Sequence, residues 1–157
     1  MQVTIYTDGA AKGNPGNGGF GTLLVAGENN KSISQGYRLT TNNRMELLAV
    51  IVGLRALKKP NTEVLVVSDS KYVVDTVTKG WLQKWRKTGY KDKKNPDLWE
   101  AYYQVAKNHI VTFKWIKGHN GHAENEHCDR LAVAASESKN LLIDTEYERI
   151  SKMAKAL

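Results

Sequence analysis

Residues 43–58 read NRMELLAVIVGLRALK, a run of strong helix formers that Pro60 brings to an end. Because the run is apolar on nearly every face, it predicts a helix buried at the centre of the fold. It also marks the point where the hydrophobic pattern changes from the alternation of strands to the period of helices. The elements on either side of this helix therefore decide the fold class.

Three segments before the central helix have the alternation and β-branched content of strands. They are residues 2–7 (QVTIYT), 20–26 (FGTLLVA) and 32–39, separated by the turn sequences GNPGNGG at 13–19 and GENN at 27–30. After the helix, the short apolar run VLVV is typical of a strand covered on both faces. The segments predicted here are a strand at 64–67, helices near 70–78, 80–87, 97–107 and 125–138, a fifth strand at 110–116 and a polar loop at 118–125.

This order of elements predicts an α/β fold, in which an antiparallel meander continues into a parallel pairing through the central helix. The domain is predicted to span residues 1–140. Residues 141–157 form a C-terminal tail, where Thr145 and Glu148 have the spacing of a capping box and the apolar residues keep a helical period. The sequence therefore predicts that the tail is helical.

The composition is that of an ordinary globular chain with an excess of positive charge. Of the 157 residues, 41% are hydrophobic and 25% are charged, which argues against wholesale disorder. The single cysteine, Cys128, excludes an intrachain disulfide framework and favours a reducing, cytoplasmic location. No apolar run approaches the ~18–20 residues that cross a bilayer, and alternation from Gln2 onward argues against a signal peptide. The formal charge of +7 indicates a polyanionic partner, most simply nucleic acid.

Most of that charge lies in residues 79–94, KGWLQKWRKTGYKDKK, here named the basic segment. It contains seven bases and one acid, a charge of +6, whereas the other 141 residues carry 16 bases and 15 acids. One interpretation is a nucleic-acid contact, with bases on phosphates and the aromatic rings of Trp81 and Trp85 on sugars or nucleobases. The other is a solvated helix whose tryptophans dock in the core. Both hold if one tryptophan packs inward and the other is exposed.

Four acidic residues are costly where the predicted elements place them: Asp8, Glu46, Asp69 and Asp129. Each has a structural alternative, respectively an Asp-Gly turn, a capping box in the first turn of the central helix, an N-cap for the next helix, and plain exposure. Together, however, Asp8 and Asp69 end strands of one sheet, and Glu46 starts the helix packed on it. Converging carboxylates repel one another unless a cation offsets them. Oxygen ligands near a phosphate indicate Mg²⁺, with Mn²⁺ as a substitute.

Two polar segments belong with this cluster. His119 and Glu124 lie in the polar loop, where a histidine beside a metal site could move protons, although a surface histidine is the simpler alternative. Residues 40–43 and Asn14 supply hydroxyl and amide groups that suit sugar and base-edge contacts. For these residues the alternative is helix capping and turn formation.

Five motifs, in this order, resemble ribonuclease H type 1. They are TDG at 7–9, GNPG at 13–16, TTNNRMEL at 40–47, SDS at 68–70 and KGHNGHAENEHCDRLA at 117–132, and the basic segment resembles that family's basic protrusion. The resemblance implies a ribonuclease H-like, five-stranded mixed sheet flanked by helices on both faces. It implies an endonuclease that hydrolyses the RNA strand of RNA–DNA hybrids with little sequence specificity, leaving 5′-phosphate and 3′-hydroxyl ends. We expect a monomer with no membrane contact.

By motif position, the resemblance also implies the site residues. Two Mg²⁺ ions, about 3.5–4 Å apart, would flank the scissile phosphate. Asp8 would bridge both ions, Asp69 and Asp129 would complete the site that activates water, and Glu46 would complete the site that stabilises the leaving oxygen. His119 matches the family's loop histidine, and Glu124 matches the acid beside it. The catalytic set is therefore Asp8, Glu46, Asp69, Asp129, His119 and Glu124.

Other matched positions imply contacts with the hybrid. Thr41 and Asn95 match part of a pocket for a DNA phosphate, and three asparagines match residues near the 2′-hydroxyls. Two positions depart from the family's pattern, because Leu39 stands where some members have arginine and Lys71 stands where an amide is frequent. The expected nucleic-acid contacts are Asn14, Thr41, Asn42, Asn43, Lys71, Trp81, Lys84, Trp85, Arg86, Lys87 and Asn95.

Two other functions are consistent with parts of this pattern. A DNA-cutting nuclease on the same scaffold, such as a junction resolvase or a transposase-like domain, would share the carboxylates, but the basic segment and the asparagines argue against it. A hybrid-binding module without catalysis would share those contacts, but the intact carboxylates argue against it.

Overall fold

The centre of the sheet is β1 (Gln2–Lys12) in the computed structural model, which describes residues 2–156. On one side β1 pairs antiparallel with β2 (Gly16–Ala26), and on the other it pairs parallel with β4 (Glu63–Ser68). The remaining strands are β3 (Asn29–Thr40), β5 (Ile110–Trp115) and β6 (Leu141–Leu142), which complete the order β5-β4-β1-β2-β3-β6. The predicted meander and its parallel continuation are confirmed.

Helices cover both faces of this sheet, as predicted. They are α1 (Asn42–Arg55), α2 (Lys71–Thr78), α3 (Trp81–Lys87), α4 (Pro96–Ala106), α5 (Ala123–Ser136) and α6 (Thr145–Ala156). Adjacent residues of a strand point to opposite faces. A side chain at Gly18 would meet Met45 in α1, whereas one at Gly19 would meet Ala132 in α5. These two helices therefore lie on opposite faces of β2.

The main core lies between the sheet and the layer formed by α1 to α4. Leu47, Val50 and Ile51 of α1 are fully buried in it, together with Ile5 of β1 and Trp99 of α4. The central, buried helix predicted from residues 43–58 is confirmed, with bounds shifted by one residue at its start and three at its end. Within residues 2–156, the helices are too short or too polar to cross a membrane.

The start of α1 corrects the predicted capping box. Thr41 is the N-cap, and its side chain accepts a hydrogen bond from the backbone N–H of Arg44 at 3.3 Å. Helix α1 therefore begins at Asn42, and Glu46 lies two residues beyond the third helical position, where the carboxylate of a capping box would be. At the start of α2 the cap is Ser70 rather than Asp69. Both acids are thereby left without a capping role.

The C-terminal tail differs from its prediction in two respects. Its helix is confirmed as α6, but the tail also adds the two-residue strand β6, parallel to β3, so the sheet has six strands rather than five. Glu148 does not close a capping box, because its carboxylate accepts two hydrogen bonds from Arg38, at 2.9 and 2.8 Å. Asp144 occupies the cap position, accepting from the backbone N–H of Tyr147 at 3.4 Å.

Candidate metal centre and nucleic-acid interface

Two acidic residues meet where β1 and β4 run in parallel. Tyr6 pairs with Val67, so Asp8 and Asp69 each lie two residues further along adjacent strands. Residues two apart on a strand point to the same face, and this register brings the two side chains together. Asp8 lies within β1, which continues to Lys12, so the alternative of an Asp-Gly turn is excluded.

Glu46 reaches the same place from α1 because Gly9 has no side chain. A Cβ on Gly9 would lie 2.5 Å from the backbone nitrogen of Glu46 and 2.7 Å from the carbonyl carbon of Met45. The absence of that carbon lets α1 approach β1 at the level of Asp8. Carboxylate oxygens of Asp8, Glu46 and Asp69 all lie within 4.8 Å of one another, a group able to hold a metal ion.

Burial and mutual repulsion raise the pKa values of this carboxylate group. Asp8 is only 5% exposed, and burial, followed by the negative charge of Asp69, raises its pKa to about 8. Burial and the charges of both aspartates raise the pKa of Glu46 well above its usual range. In the described chain, Oε1 of Glu46 is buried without a hydrogen-bond partner. Burying several carboxylates together destabilises the folded protein, and a bound cation would offset their negative charge.

Asp129 lies outside this group of three but close to it. The thiol of Cys128 donates a 3.3 Å hydrogen bond to the carbonyl oxygen of Tyr6, which ties α5 to β1 just before Asp8. The next residue, Asp129, is half-buried and adds to the raised pKa of Asp8, after burial and Asp69. The predicted fourth acid therefore lies at the edge of the carboxylate group, on the opposite layer of helices.

The two other predicted catalytic residues lie on the loop between β5 and α5 and at the start of α5, because the helix begins at Ala123 and the predicted loop at 118–125 is shorter than expected. His119 is exposed, with a backbone φ of 55°. Burial raises the pKa of Asp69, and the positive charge of His119 partly offsets this effect, so the two side chains lie within electrostatic range. Glu124 is half-buried in the first turn of α5, where its charge adds to the raised pKa of Tyr6. The structure therefore brings the loop beside the acids.

The predicted asparagine cluster assembles across two segments. Oδ1 of Asn14 accepts a 3.1 Å hydrogen bond from the backbone N–H of Asn42, joining the first turn to the start of α1. Asn43, the next residue, is exposed. Asn42 and Asn43 therefore lie in the first turn of α1, four and three residues before Glu46, with Asn14 hydrogen-bonded beside them.

The two residues matched to a phosphate pocket are joined by a residue that the sequence analysis did not single out. Arg44 binds the hydroxyl of Thr41 through its backbone N–H and Oδ1 of Asn95 through Nη1, at 3.3 and 3.2 Å. Its guanidinium also pairs with the carboxylates of Asp97 and Asp144. The available signal was a charged residue inside an almost wholly apolar helix, but its partners are 51 to 100 residues away.

One tryptophan of the basic segment packs inward and the other is exposed, as predicted if the segment both docks on the core and contacts nucleic acid. Trp85 packs edge-on against the buried Trp99, with ring centroids 6.1 Å apart. Trp81 is 37% exposed, and Nζ of Lys79 lies 5.4 Å from the centroid of its ring. One tryptophan therefore anchors α3 to the core, while the other remains available at the surface.

The cations of α3 also have different surroundings. Lys84 and Lys87 are exposed. Arg86 instead faces α4, where Nε donates to Oε1 of Glu100 at 3.1 Å and the guanidinium carbon lies 3.4 Å from the centroid of the Tyr103 ring. The two lysines are therefore directed to solvent, and the arginine is engaged within the protein.

Lys71 lies beside the carboxylate group rather than on the basic segment. Its Nζ is 4.9 Å from the centroid of the Trp115 ring. Trp115 is 42% exposed, and its indole N–H donates to the backbone oxygen of Asp69 at 3.0 Å. No local pattern in the sequence marks Trp115, because its position next to Asp69 depends on the pairing of β4 with β5.

Comparisons of sequence agree with this arrangement. A family model described as RNase H matches residues 1–137. The curated relative ribonuclease H of Rippkaea orientalis is 53% identical over 152 residues, which cover 94% of this chain and 93% of the relative.

Comparisons with solved structures show the same likeness. The crystal structure of LC9-RNase H1, a type 1 RNase H with the type 2 active-site motif, matches with a TM-score of 0.77 and 32% identity, covering 96% of this chain and 80% of that one. LC11-RNase H1, solved in complex with an RNA/DNA hybrid, matches with a TM-score of 0.64 and 26% identity, covering 86% of this chain and 96% of that one.

Proposed function

The chain belongs to the RNase H family, and from this premise we propose that it is an endonuclease hydrolysing the RNA strand of RNA–DNA hybrids. The products would carry 5′-phosphate and 3′-hydroxyl ends. The observation that carries the proposal is the buried group formed by Asp8, Glu46 and Asp69, three acids from three separate elements with oxygens within 4.8 Å of one another. Acids buried this close together are typical of sites that bind cations beside a substrate phosphate.

The donor set of this group supports a hard divalent cation. Its members offer carboxylate oxygens, and Oε1 of Glu46 lacks any partner among the described residues. Oxygen ligands favour Mg²⁺, with Mn²⁺ as a substitute. We propose that Asp8, Glu46 and Asp69, with Asp129 completing the set, would hold two such ions and that Asp8 would be a ligand in both sites. When bound, such cations offset the carboxylate charges, activate the attacking water and stabilise the leaving 3′-oxygen.

The protein's own side chains would then orient the reaction. Asp8 is fixed by β1 and by the backbone N–H of Gly9, which donates to its Oδ1 at 2.9 Å. Rigid placement of this kind favours catalysis, because little reorganisation is needed when charge develops. His119, exposed on the loop and within electrostatic range of Asp69, is proposed to carry a proton to or from the reacting phosphate. Glu124, in the first turn of α5, is proposed to act beside it.

Recognition of the hybrid would involve two surfaces. The amides of Asn14, Asn42 and Asn43 are proposed to contact sugars near the 2′-hydroxyls, the groups that distinguish RNA from DNA. Thr41 and Asn95 are proposed to hold a DNA phosphate. The exposed members of the basic segment would contact the backbone, with Trp81 packing on a sugar or base. Contacts with phosphate and sugar carry no base sequence, so little sequence specificity is expected.

A cleavage assay tests the proposal. The unmodified protein is incubated with an end-labelled RNA–DNA hybrid, duplex DNA and duplex RNA, each with Mg²⁺, with Mn²⁺ and with a chelator. We expect cleavage of the RNA strand of the hybrid alone, dependent on the cation, and products that a phosphate-specific enzyme recognises as 5′-phosphorylated. Cleavage of duplex DNA at a similar rate would contradict the proposed substrate. Binding of the hybrid without cleavage under any of these conditions would contradict the proposed activity.

Two further expectations stand on the sequence. We propose that the protein is a monomer, which sedimentation of the purified chain tests, and that it acts in the cytoplasm.

Lys71, beside Trp115 at the edge of the carboxylate group, is proposed to add a phosphate contact near the scissile bond.

A further inference from the structure

We propose that Arg44, held in place by Asp144 of the C-terminal tail, is the positioning residue of the DNA-phosphate pocket. In this arrangement the tail decides how well one phosphate of the DNA strand is bound. The inference rests on the proposed function, since it concerns the pocket formed by Thr41 and Asn95.

Every hydrogen-bond donor of the Arg44 guanidinium is used. We call this group, together with its partners Asn95, Asp97 and Asp144, the hub. Arg44 is 2% exposed, and each of its five N–H donors has an acceptor. Nε and Nη2 donate to the carboxylate of Asp144 at 2.7 and 2.9 Å. Nη1 and Nη2 donate to the carboxylate of Asp97 at 2.9 and 2.7 Å. The remaining N–H of Nη1 donates to Oδ1 of Asn95 at 3.2 Å.

This hub decides which way the amide of Asn95 points. Arginine can only donate hydrogen bonds, so Asn95 must turn its oxygen towards Arg44. Its Nδ2 donates to the hydroxyl oxygen of Tyr72 at 3.0 Å, and that oxygen also receives the indole N–H of Trp99 at 2.8 Å. One hydrogen of the amide nitrogen is then left over. The pocket is therefore offered an N–H donor rather than a carbonyl oxygen, which a phosphate would repel.

The second pocket residue, Thr41, is oriented by the backbone at the start of α1 rather than by the guanidinium. The hydroxyl oxygen of Thr41 accepts the backbone N–H of Arg44 at 3.3 Å. Its hydroxyl hydrogen is left free to donate. Both pocket side chains thus direct their acceptors to Arg44 and keep their donors for an anion, which is the arrangement that a phosphate requires.

The tail is what completes the hub. Asp144 follows β6, and its Oδ2 also accepts the hydroxyl of Thr40 at 2.7 Å, at the end of β3. Glu148, one turn further on, pairs with Arg38 of the same strand. Replacing Asp144 by asparagine would keep one acceptor oxygen but turn an amide NH2 towards the second donor of a buried guanidinium, and the group would shift towards Asp97. Asn95 would then lose the constraint on its amide.

The test uses hybrids in which one DNA phosphate at a time is replaced by an uncharged methylphosphonate. Binding is measured by fluorescence anisotropy in an Asp8→Asn background, where the hybrid is expected to remain intact. KM and kcat are measured with the native carboxylates. In the parent, we expect one position at which the replacement raises Kd about tenfold, the loss of one charge-assisted hydrogen bond. In Asn95→Ala that penalty should disappear.

Three variants then separate positioning from plain stabilisation. Arg44→Lys keeps the charge but cannot span both carboxylates and Asn95, and Asp144→Asn removes the tail's charge. In both, we expect the tenfold penalty to fall below about threefold, with KM rising more than kcat falls. The matched control is Glu146→Gln, on the same tail, whose partner Arg149 is exposed. It should keep the full penalty.

Two results would overturn the inference. One is a lower melting temperature in Arg44→Lys and Asp144→Asn with an unchanged penalty, because the hub would then be structural only. The other is the absence of any penalised position in the parent. If Asp144→Asn acted only by removing a negative charge near the pocket, the DNA phosphate would bind more strongly. Replacing that phosphate would then raise Kd by more than in the parent, which is the opposite of the effect expected when Asn95 loses its orientation. If Asp144→Asn unfolds under assay conditions, Thr40→Val, which removes only the hydroxyl bond to Asp144, replaces it.

The experiment distinguishes this inference from the proposed function. Failure of the unmodified protein to cleave an unmodified hybrid would contradict the function, while the anisotropy measurements would still decide the role of Arg44. Efficient cleavage, with equal penalties in all variants, would contradict the inference alone.

Discussion

Asp8 in β1 and Asp69, the residue after the end of β4, each lie two residues beyond the paired residues Tyr6 and Val67 of these adjacent parallel strands. The register that stabilises the sheet therefore forces two acids together, and Gly9 lets Glu46 join them. Burial and repulsion raise the pKa of Asp8 to about 8. The fold thus concentrates negative charge where it is least stable without a cation, as expected when a site is built for binding rather than for stability.

The metal-free protein should lose stability as the pH rises from about 4 to about 8. Asp8 has a pKa of about 8 in the folded state and an ordinary value of 3.8. Between these values the folded state holds a proton that the unfolded state has released, so stability falls with increasing pH. The raised pKa of Glu46 acts in the same direction. Urea unfolding in chelator at several pH values measures this dependence.

The control for that dependence is Asp8→Asn, which removes one charge without changing shape. At pH 7 without metal, we expect it to be more stable than the parent by about 1–3 kcal/mol, or roughly 3–10 °C in Tm. Its stability should also vary less with pH. If Asp8→Asn were less stable than the parent at pH 7 without metal, the carboxylates would not destabilise the fold by repulsion.

Adding Mg²⁺ at pH 7 should stabilise the protein and release protons. A cation favours the ionised carboxylates, so Asp8, whose pKa is raised to about 8 by burial and by Asp69, must give up its proton on binding. Because the site requires the folded chain, Tm should rise with cation concentration. Calorimetry in two buffers of different ionisation enthalpy counts the protons, and the same titration of Asp8→Asn is the control. An identical heat in both buffers would contradict the raised pKa values.

Asp8→Asn should lower kcat by three orders of magnitude or more, as expected when a group central to catalysis is removed. Binding of the hybrid should change by less than about threefold, because the contacts assigned to Thr41, Asn95 and the basic segment are elsewhere. Single-turnover cleavage and anisotropy with the same hybrid measure the two quantities. Retention of substantial cleavage would remove Asp8 from the site.

Gly9→Ala should damage both the fold and the site. The added Cβ would lie 2.5 Å from the backbone nitrogen of Glu46, so α1 must move away from β1. We expect a loss of about 2–3 kcal/mol, typical of overpacking, and a clear fall in kcat. Gly27→Ala is the control, because a Cβ there meets nothing within 4 Å and only the positive φ of 61° opposes it. It should cost about 1 kcal/mol and leave kcat unchanged.

The salt dependence of hybrid binding should distinguish the cations of α3. Replacing Lys84 and Lys87 by alanine should reduce the slope of log Kd against log salt by about 1–2, since each lost phosphate contact removes about 0.9. Arg86→Ala should leave the slope unchanged and lower Tm by a few degrees, because Arg86 contacts Glu100 and Tyr103. The reverse pattern would place Arg86, rather than the lysines, on the nucleic acid.

The elements of the fold could be predicted because their signals are local. The apolar helix at 43–58, the alternating strands and the buried VLVV run each appear in a few consecutive residues. The strand β6 could not be predicted, because Leu141 and Leu142 are two residues whose pairing with β3 depends on where the tail lies. The helix caps also depend on tertiary context. Ser70 rather than its neighbour Asp69 caps α2, and Thr41 caps α1 without a capping box from Glu46.

The candidate site shows the same division. By itself, the sequence determined which side chains are candidates for the chemistry: acids at strand ends, a polar loop with a histidine, asparagines before a helix and a basic segment. Only the tertiary structure decided how they are held, with Arg44 joined to Asn95, Asp97 and Asp144 from 51, 53 and 100 residues away. The physical reason is that residue type and spacing report local preference, whereas an ion pair depends on which distant segments the packing of the core brings together.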